Sequence, residues 1–385
     1  MKNVVFNGID DLETIKRIIK NEKVGLVTST SGVNKSLKCT IDIINENFNL
    51  ISLYSPEHGI RGNFQAGEEV STYIDEKTGV KVYSLYGENK KPSKEMLEDI
   101  DILIFDIGDV GTRYYTYINT MGYCLEACKE NNKKMVILDR INVLGGEKIE
   151  GNLLDEEYIT FVGMYQIPVR YSLTIGELAL YINNEKNIRC DLEIVKVKGW
   201  ERWMYQDDTD IKWINPSPNM PTLDTAILYS GLCLIEGTNV SEGRGTTKPF
   251  EIIGAPWIDG YKLSNIMNNK ELSGVKFRPV FFTPMFSKYS GELCSGIQVH
   301  VIDKREINAY EVGINILEEI IKLDSNNNLK FNYYPEYGYF LDALSGTNIL
   351  RDKLGKEISS KEFINSIRSN QDDFIKKSKK YHLYK

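Results

Sequence analysis

Four short apolar runs constrain this chain most. They read KVGLVTST (23–30), FNLISLYS (48–55), DILIFDIG (101–108) and KMVILDR (134–140). Each is rich in Val, Ile and Leu without strict alternation, as expected of strands covered on both faces within a parallel sheet. Helix-period segments separate them: a stripe of Leu12, Ile15, Ile18 and Ile19, then Pro92 to Ile100, then Tyr117 to Asn131. Strand and helix alternating at this spacing predict an α/β chain with a Rossmann-like, mostly parallel sheet. YSLTIGELALYINNE (171–185) adds a helix with Thr174 as N-cap and Glu177 at the capping-box position. LEIVKVKGW (192–200) reads as a further strand.

Each of the four runs ends in a polar or glycine-bearing loop: Thr28 to Gly32, Ser55 to Gly59, Gly108 to Arg113, and Asp139-Arg140. In an open parallel sheet such loops share the carboxyl edge, where ligands bind. Glu57, Asp109, Arg113, Asp139 and Arg140 are therefore expected to meet at one cleft. Further on, NPSPNMPTLDTA (215–226) carries three prolines and predicts a rigid loop throughout. We place a boundary near 229. Residues 1–228 form the Rossmann-like catalytic domain. Residues 229–385 form a smaller α+β domain that completes the cleft, with strand-like GIQVHVID (296–303) and a helix near 309–322.

Several function classes are disfavoured. A net charge of −7 and a pI near 5.4 argue against nucleic acid as a partner. No apolar stretch approaches the ~20 residues that span a bilayer. The amino-terminal segment turns acidic too early for a signal-peptide core, so the expected location is cytoplasmic, or exported with the signal removed. Three histidines and six scattered cysteines, with no Cys-x-x-Cys pair, suggest no metal site, and no cofactor is expected. The first strand ends in TSTSGV instead of G-x-G-x-x-G, and no Walker pattern occurs, which speaks against a nucleotide-dependent oxidoreductase.

Several carboxylates around one cleft suggest glycosidase chemistry. One carboxyl stays protonated to release the leaving oxygen while a second, ionised group attacks or activates water. Glu57 suits the acid, with His58 beside it, although an ion pair with Arg61 would instead lock the loop. Asp109, Glu236 and Glu242 are candidates for the partner, Asp109 first because it shares the rim. Arginine is scarce, 12 residues among the 47 basic ones, yet Arg61, Arg113, Arg140, Arg170, Arg202 and Arg244 fall in or near these loops. Their fixed fork of donors suits carboxylates. They either read an anionic substrate or hold loops through Asp106, Asp109, Asp139 or Glu242.

SPEHGIRG, FDIGDVGTRYYTYINTM, TIGELA, NPSPNMPTLDTAILYSG and EGTNVSEGRGTTKPFEIIGAPW make the chain resemble the DUF1343 family, which includes exo-β-N-acetylmuramidases of the NamZ type. The likeness runs from about residue 23 to the terminal YHLYK. It implies a two-domain glycoside hydrolase that releases N-acetylmuramic acid from the non-reducing ends of peptidoglycan fragments. A catalytically silent muropeptide- or amino-sugar-binding protein is the alternative. The resemblance places the family's catalytic glutamate on Glu57. The lactyl carboxylate of such a substrate would supply the anion that the arginines await. The expected catalytic set is Glu57, Asp109 and Glu242. The expected substrate-binding set is His58, Arg61, Arg113, Asp139, Arg140, Arg170, Asn219, Glu236 and Arg244. The chain departs from the family pattern at Gly108, within Asp139 to Val143, and at Tyr171, where the family carries histidine; if that histidine touches sugar, this member would prefer another saccharide.

Overall fold

The computed structural model describes residues 2–61, 72–87 and 89–385, so the last glycine of SPEHGIRG lies outside the described residues. Seven strands form the main sheet: β1 (Lys23–Thr28), β2 (Asn49–Ser55), β3 (Tyr73–Ile74), β4 (Lys81–Ser84), β5 (Ile102–Asp106), β6 (Lys134–Leu138) and β7 (Leu192–Val195). Their order is β3-β4-β2-β1-β5-β6-β7, all neighbours parallel except β3 and β4. The chain winds outward in one direction to β2 and in the other to β5, so the fold has its switch point at β1. All four apolar runs are strands, and each stops where its polar loop begins. The 192–200 run is a strand only to Val195. Beyond it the chain leaves the sheet, and Lys198 bridges Phe6 instead.

Both faces of the sheet are covered, which explains the apolar runs. On one face, α1 (Leu12–Ile19) and α2 (Thr40–Asn47) bury Ile15, Ile19, Ile41 and Ile44 against Val24, Leu26, Ile104 and Leu138. The other face carries α4 (Tyr117–Glu130) and α5 (Ile175–Glu185); the short α3 (Lys94–Leu97) precedes β5. The capping box of α5 is present: Glu177 N–H donates to Thr174 Oγ1 at 3.2 Å, and Thr174 N–H to Glu177 Oε2 at 3.0 Å.

The proline-rich segment ends sooner than expected. Thr222 caps α6 (Leu223–Leu232), accepting from Thr225 N–H at 3.2 Å, because Pro221 is the last residue barred from helix and good helix formers follow. The boundary expected near 229 therefore lies inside a helix. The carboxyl-terminal half holds an antiparallel sheet of β8 (Ile252–Ala255), β9 (Val275–Phe282) and β10 (Cys294–Val301), with β10 central. Helix α7 (Gly260–Asn269) packs on it and α8 (Ala309–Leu323) packs against α6 and α7, followed by the hairpin β11 (Tyr333–Tyr334) and β12 (Gly338–Tyr339) and by α9 (Phe340–Ser345). Helices α6 and α8 approach at Gly231 and Gly313, where a Cβ on Gly231 would lie 1.8 Å from the Ala309 carbonyl oxygen. One apolar cluster runs without interruption from Phe105 and Ile137 to Ile253 and Leu317. The two halves share a core, which holds the loops of both in fixed register.

Candidate active site

Glu57 sits on a tight turn after β2. Gly59 N–H closes the turn on the Pro56 carbonyl at 3.2 Å. His58 (φ 73°) and Gly59 (φ 79°) both take left-handed backbone, unusual for histidine and a form of strain that collects at functional sites. This bend puts the Glu57 side chain at the corner, facing the loop after β5. There Thr116 Oγ1 donates to Glu57 Oε2 at 2.8 Å. The Tyr86 phenol lines the same cavity, and burial first, then the negative charge of Glu57, raises its pKa. Arg61 does not lock Glu57. It makes a bidentate pair with Asp75 at 2.7 and 2.9 Å, which holds Asp75 below the usual carboxylate range and leaves Glu57 to the cavity.

The cavity is lined from both halves. Glu57, His58, Tyr86, the Tyr114–Tyr117 segment and Phe161 come from the first; Asn219, Glu236, Arg244, Phe250, Tyr337 and Phe340 come from beyond the proline-rich turn. Its carboxylates are Glu57 and Glu236. Arg244 contacts Glu236 at 2.7 Å and Glu242 at 3.4 Å, and stands 5.0 Å from the Phe250 ring centroid. Although burial opposes the charge, the two carboxylates raise the Arg244 pKa. Glu242 is itself buried behind Arg244, where Lys288 holds it at 2.9 Å. Glu242, an expected catalytic residue, does not line this cavity, and each of its oxygens faces a cation.

Asp109 is placed elsewhere too. Its side chain folds back to accept from Gly111 N–H at 2.7 Å and from the Tyr171 hydroxyl. This turn over its own backbone is the habit of an Asx residue. It faces a separate, narrow cavity with Ser31, Gly108, Arg140 and Trp213. Burial pushes its pKa up to about 6. Tyr115 and Tyr117 line the Glu57 chamber and feel the charges of both Glu57 and Asp109. Tyr171 is fully buried beneath this arrangement and reaches no sugar-sized space.

Four more expected binding residues are internal struts. Arg113 is wholly buried and donates to four backbone carbonyls: Asn152 (2.6 Å), Ile167 (2.8 Å), Leu344 (3.1 Å) and Ser345 (2.8 Å). It joins the two halves, and burial lowers its pKa to about 10. Arg140 forks onto Asp106 at 2.6 and 2.8 Å, and Arg170 pairs with Glu150 at 2.6 Å, both out of solvent. Asp139 holds the start of α5 through Gly176 N–H (2.8 Å) and Thr174 Oγ1 (2.8 Å), and the Tyr384 hydroxyl caps it. Burial pushes Asp139 up to about 7. Arg113, Asp139 and Arg140 do come from the predicted rim, but they face inward, because buried partners claim them. Glu57, His58, Asn219, Glu236 and Arg244 are the expected residues that the structure does bring together.

Sequence reasoning missed the aromatic walls. Tyr115 and Tyr117 meet edge to face at 5.1 Å, and Tyr114 and Tyr229 at 5.4 Å. A signal existed in RYYTY (113–117), three tyrosines directly behind a strand-end loop. Tyr337 stands in another such stretch, FNYYPEYGYF (331–340), whereas Tyr86 and Phe161 carry no comparable mark. Among the described residues, no group of three or more His, Cys, Asp or Glu is arranged to hold a metal ion, and no helix is long and apolar enough to cross a membrane.

Comparison with known proteins finds relatives over the whole chain. Residues 24–224 match the family model described as exo-beta-N-acetylmuramidase NamZ, N-terminal, and residues 227–384 match its C-terminal counterpart. The chain is 48% identical over 391 residues to the peptidoglycan beta-N-acetylmuramidase NamZ of Bacillus subtilis (strain 168), covering all of this chain and 92% of that protein. Two crystal structures of DUF1343 family proteins from Bacteroides fragilis NCTC 9343 resemble it. One has a TM-score of 0.92 at 37% identity over the whole of both chains; the other has 0.78 at 31% over 99% of each.

Proposed function

The chain belongs to the exo-beta-N-acetylmuramidase NamZ family, and we propose on that premise that it removes N-acetylmuramic acid from the non-reducing ends of peptidoglycan fragments. It is a glycoside hydrolase. The observation that carries the reading is Glu57: a carboxyl on a strained turn, oriented by Thr116, in a chamber walled by aromatic rings from both halves. Glu57 donates its proton to the glycosidic oxygen as the bond to C1 breaks. Glu236 is the remaining carboxylate of the chamber and stands where it can stabilise positive charge at C1 or guide water to it. Tyrosine rings give the apolar faces of the sugar a surface to cover, and Arg244 offers a guanidinium to the lactyl carboxylate. The inner chamber, about 210 Å³, opens into a wider outer space of about 780 Å³. A narrow end and a wide mouth suit an enzyme that takes one terminal sugar at a time.

The experiment offers the protein a fragment ending in N-acetylmuramic acid and one ending in N-acetylglucosamine, and follows products by mass spectrometry. Free N-acetylmuramic acid from the first alone is expected. Internal cleavage products would overturn the exo reading. Binding without release would leave the silent-binder alternative standing.

A further inference from the structure

Three of the six cysteines gather at the amino edge of the main sheet, the edge opposite Glu57. Cys124 and Cys128 lie one turn apart on α4, and Cys190 stands just before β7; all three are buried free thiols. Helix α4 separates the two regions. Its N-cap, Thr116, orients Glu57, whereas Cys128 sits in its last turn.

Backbone bonds bring Cys128 and Cys190 to one place. Lys133 N–H donates to the Cys128 carbonyl at 2.8 Å. Met135 pairs with Leu192 across β6 and β7, and two residues back along that parallel register stand Lys133 and Cys190. Both cysteines line one open cavity of about 660 Å³, which Cys124 does not reach. Cys190 is the one that meets solvent, 6% exposed against 0% for Cys128. Asn183 of α5 fixes it, accepting from its N–H at 2.9 Å and donating to its carbonyl at 3.0 Å. Arg189, immediately before it, takes left-handed backbone (φ 60°), a strain that collects at functional sites.

The charges around the cavity favour a thiolate. Five cations line it, among them Lys129 and Arg189, each next in sequence to one of the two cysteines, against the three carboxylates Glu22, Asp101 and Asp191. A thiol in a partly exposed, electropositive place is the kind that gives up its proton and reacts. The Cys128 thiol beside it holds Cys190 below the ordinary thiol pKa, while Cys190 first and burial second push Cys128 well above it. Burial raises Cys124 as well. One sulfur is therefore an accessible nucleophile, and the other is a buried thiol at its side.

We propose that Cys190 and Cys128 form a peroxide-reactive dithiol, with Cys190 the attacking sulfur and Cys128 the resolving one. The Cys190 thiolate attacks one oxygen of a hydroperoxide. The O–O bond breaks, the leaving oxygen takes up a proton, and Cys190 becomes a sulfenic acid. The Cys128 sulfur then attacks Cys190: the S–S bond forms, the S–O bond breaks, and the hydroxide leaves as water with the Cys128 proton. The two sulfurs together give up two electrons, which the peroxide receives.

The test treats the folded protein with hydrogen peroxide and maps the products by mass spectrometry without reduction. Wild type should lose two hydrogens, carried by a linked pair of peptides containing Cys128 and Cys190, and dithiothreitol should restore them. In Cys128→Ala the sulfenic acid at Cys190 has no partner and should be trapped by dimedone. In Cys190→Ala, Cys128 should stay reduced and unlabelled. Brief alkylation of wild type with iodoacetamide reads the same asymmetry without any substitution: Cys190 should react ~10-fold faster or more than Cys124 or Cys128. Reduced, unlinked Cys128 and Cys190 in peroxide-treated wild type, or alkylation led by Cys128, would overturn the proposal. A bond from Cys190 to Cys124 would overturn the choice of Cys128 as the resolving sulfur.

Discussion

Replacing Glu57 by glutamine isolates the proton. The amide has the size of the carboxyl and keeps an oxygen that can accept from Thr116 Oγ1, now at 2.8 Å. Arg61 pairs with Asp75 and not with Glu57, so no buried cation is stranded by the change. Fold and sugar binding should persist, and what disappears is the acid. General acid catalysis contributes about 10²- to 10⁴-fold, or roughly 2.7–5.4 kcal/mol of barrier at ~1.36 kcal/mol per tenfold. The loss should depend on the leaving group. A sugar alkoxide cannot depart unprotonated, whereas 4-nitrophenolate is stable enough to leave with little help. The assay is therefore steady-state kinetics of wild type and Glu57→Gln on the disaccharide and on 4-nitrophenyl N-acetylmuramide. The disaccharide should lose the full factor in kcat and the aryl glycoside distinctly less, with KM little changed for either. Near-wild-type turnover on the disaccharide would refute the acid role. Equal losses on both substrates would also refute it, because they would mark Glu57 as a positioning or charge-stabilising group.

The other expectations concern charge. Arg244→Lys keeps the charge but loses the fork, so selectivity for N-acetylmuramides over N-acetylglucosaminides should fall by about 10- to 150-fold in kcat/KM, the equivalent of ~1.5–3 kcal/mol for a charge-assisted contact; equal losses on both sugars would make Arg244 a strut for Glu236. Arg113→Met should lower unfolding free energy by about 3 kcal/mol or more, because four buried carbonyls lose their donor, and chemical denaturation measures it; a variant as stable as wild type would deny that it joins the halves. Asp139 has a folded pKa of about 7, above its ordinary value near 3.9, so the folded state binds the extra proton. Its contribution is fully present below about pH 4 and is lost as pH rises through 7. Melting temperature should fall less between pH 5 and 8 in Asp139→Asn than in wild type, and identical slopes would show that the raised pKa has no thermodynamic consequence.

How far the sequence reading reached depends on which physical rule governed each residue. Burial on both faces leaves its mark residue by residue in β1, β2, β5 and β6, and the carboxyl edge follows from parallel winding alone. Glu57 could be found because it stands at a strand end, and the capping box at Thr174 and Glu177 because its spacing is local. Nothing local distinguishes Arg140 from Arg244. Both follow strand-end or glycine-rich loops, but Arg140 meets Asp106, which the sheet buries completely at the end of β5. A buried carboxylate must be paired, so it takes the nearest guanidinium before any ligand can. Asp139 turned inward for a similar reason, because it accepts from the Gly176 N–H and the Thr174 hydroxyl at the start of α5. The aromatic walls were hidden for the opposite reason: Tyr86, Phe161 and Tyr337 become neighbours only when the two halves share a core.

The scarcity of arginine then takes on a different meaning. In a chain that handles surface charge with lysine, arginine marks places where a cation must be held out of water by several acceptors at once. Arg113, Arg140 and Arg170 do that work in the interior, and Arg244 does it at the chamber wall. Arg113 immediately precedes the Tyr114–Tyr117 segment, whose Thr116 orients Glu57. Two of its four carbonyl contacts tie that segment to α9, and hence to the Phe340 that stands between inner chamber and outer mouth. Arg113 thereby couples the Glu57 side of the chamber to the aromatic wall supplied by the other half. The geometry around Glu57 therefore depends on the joint between the halves.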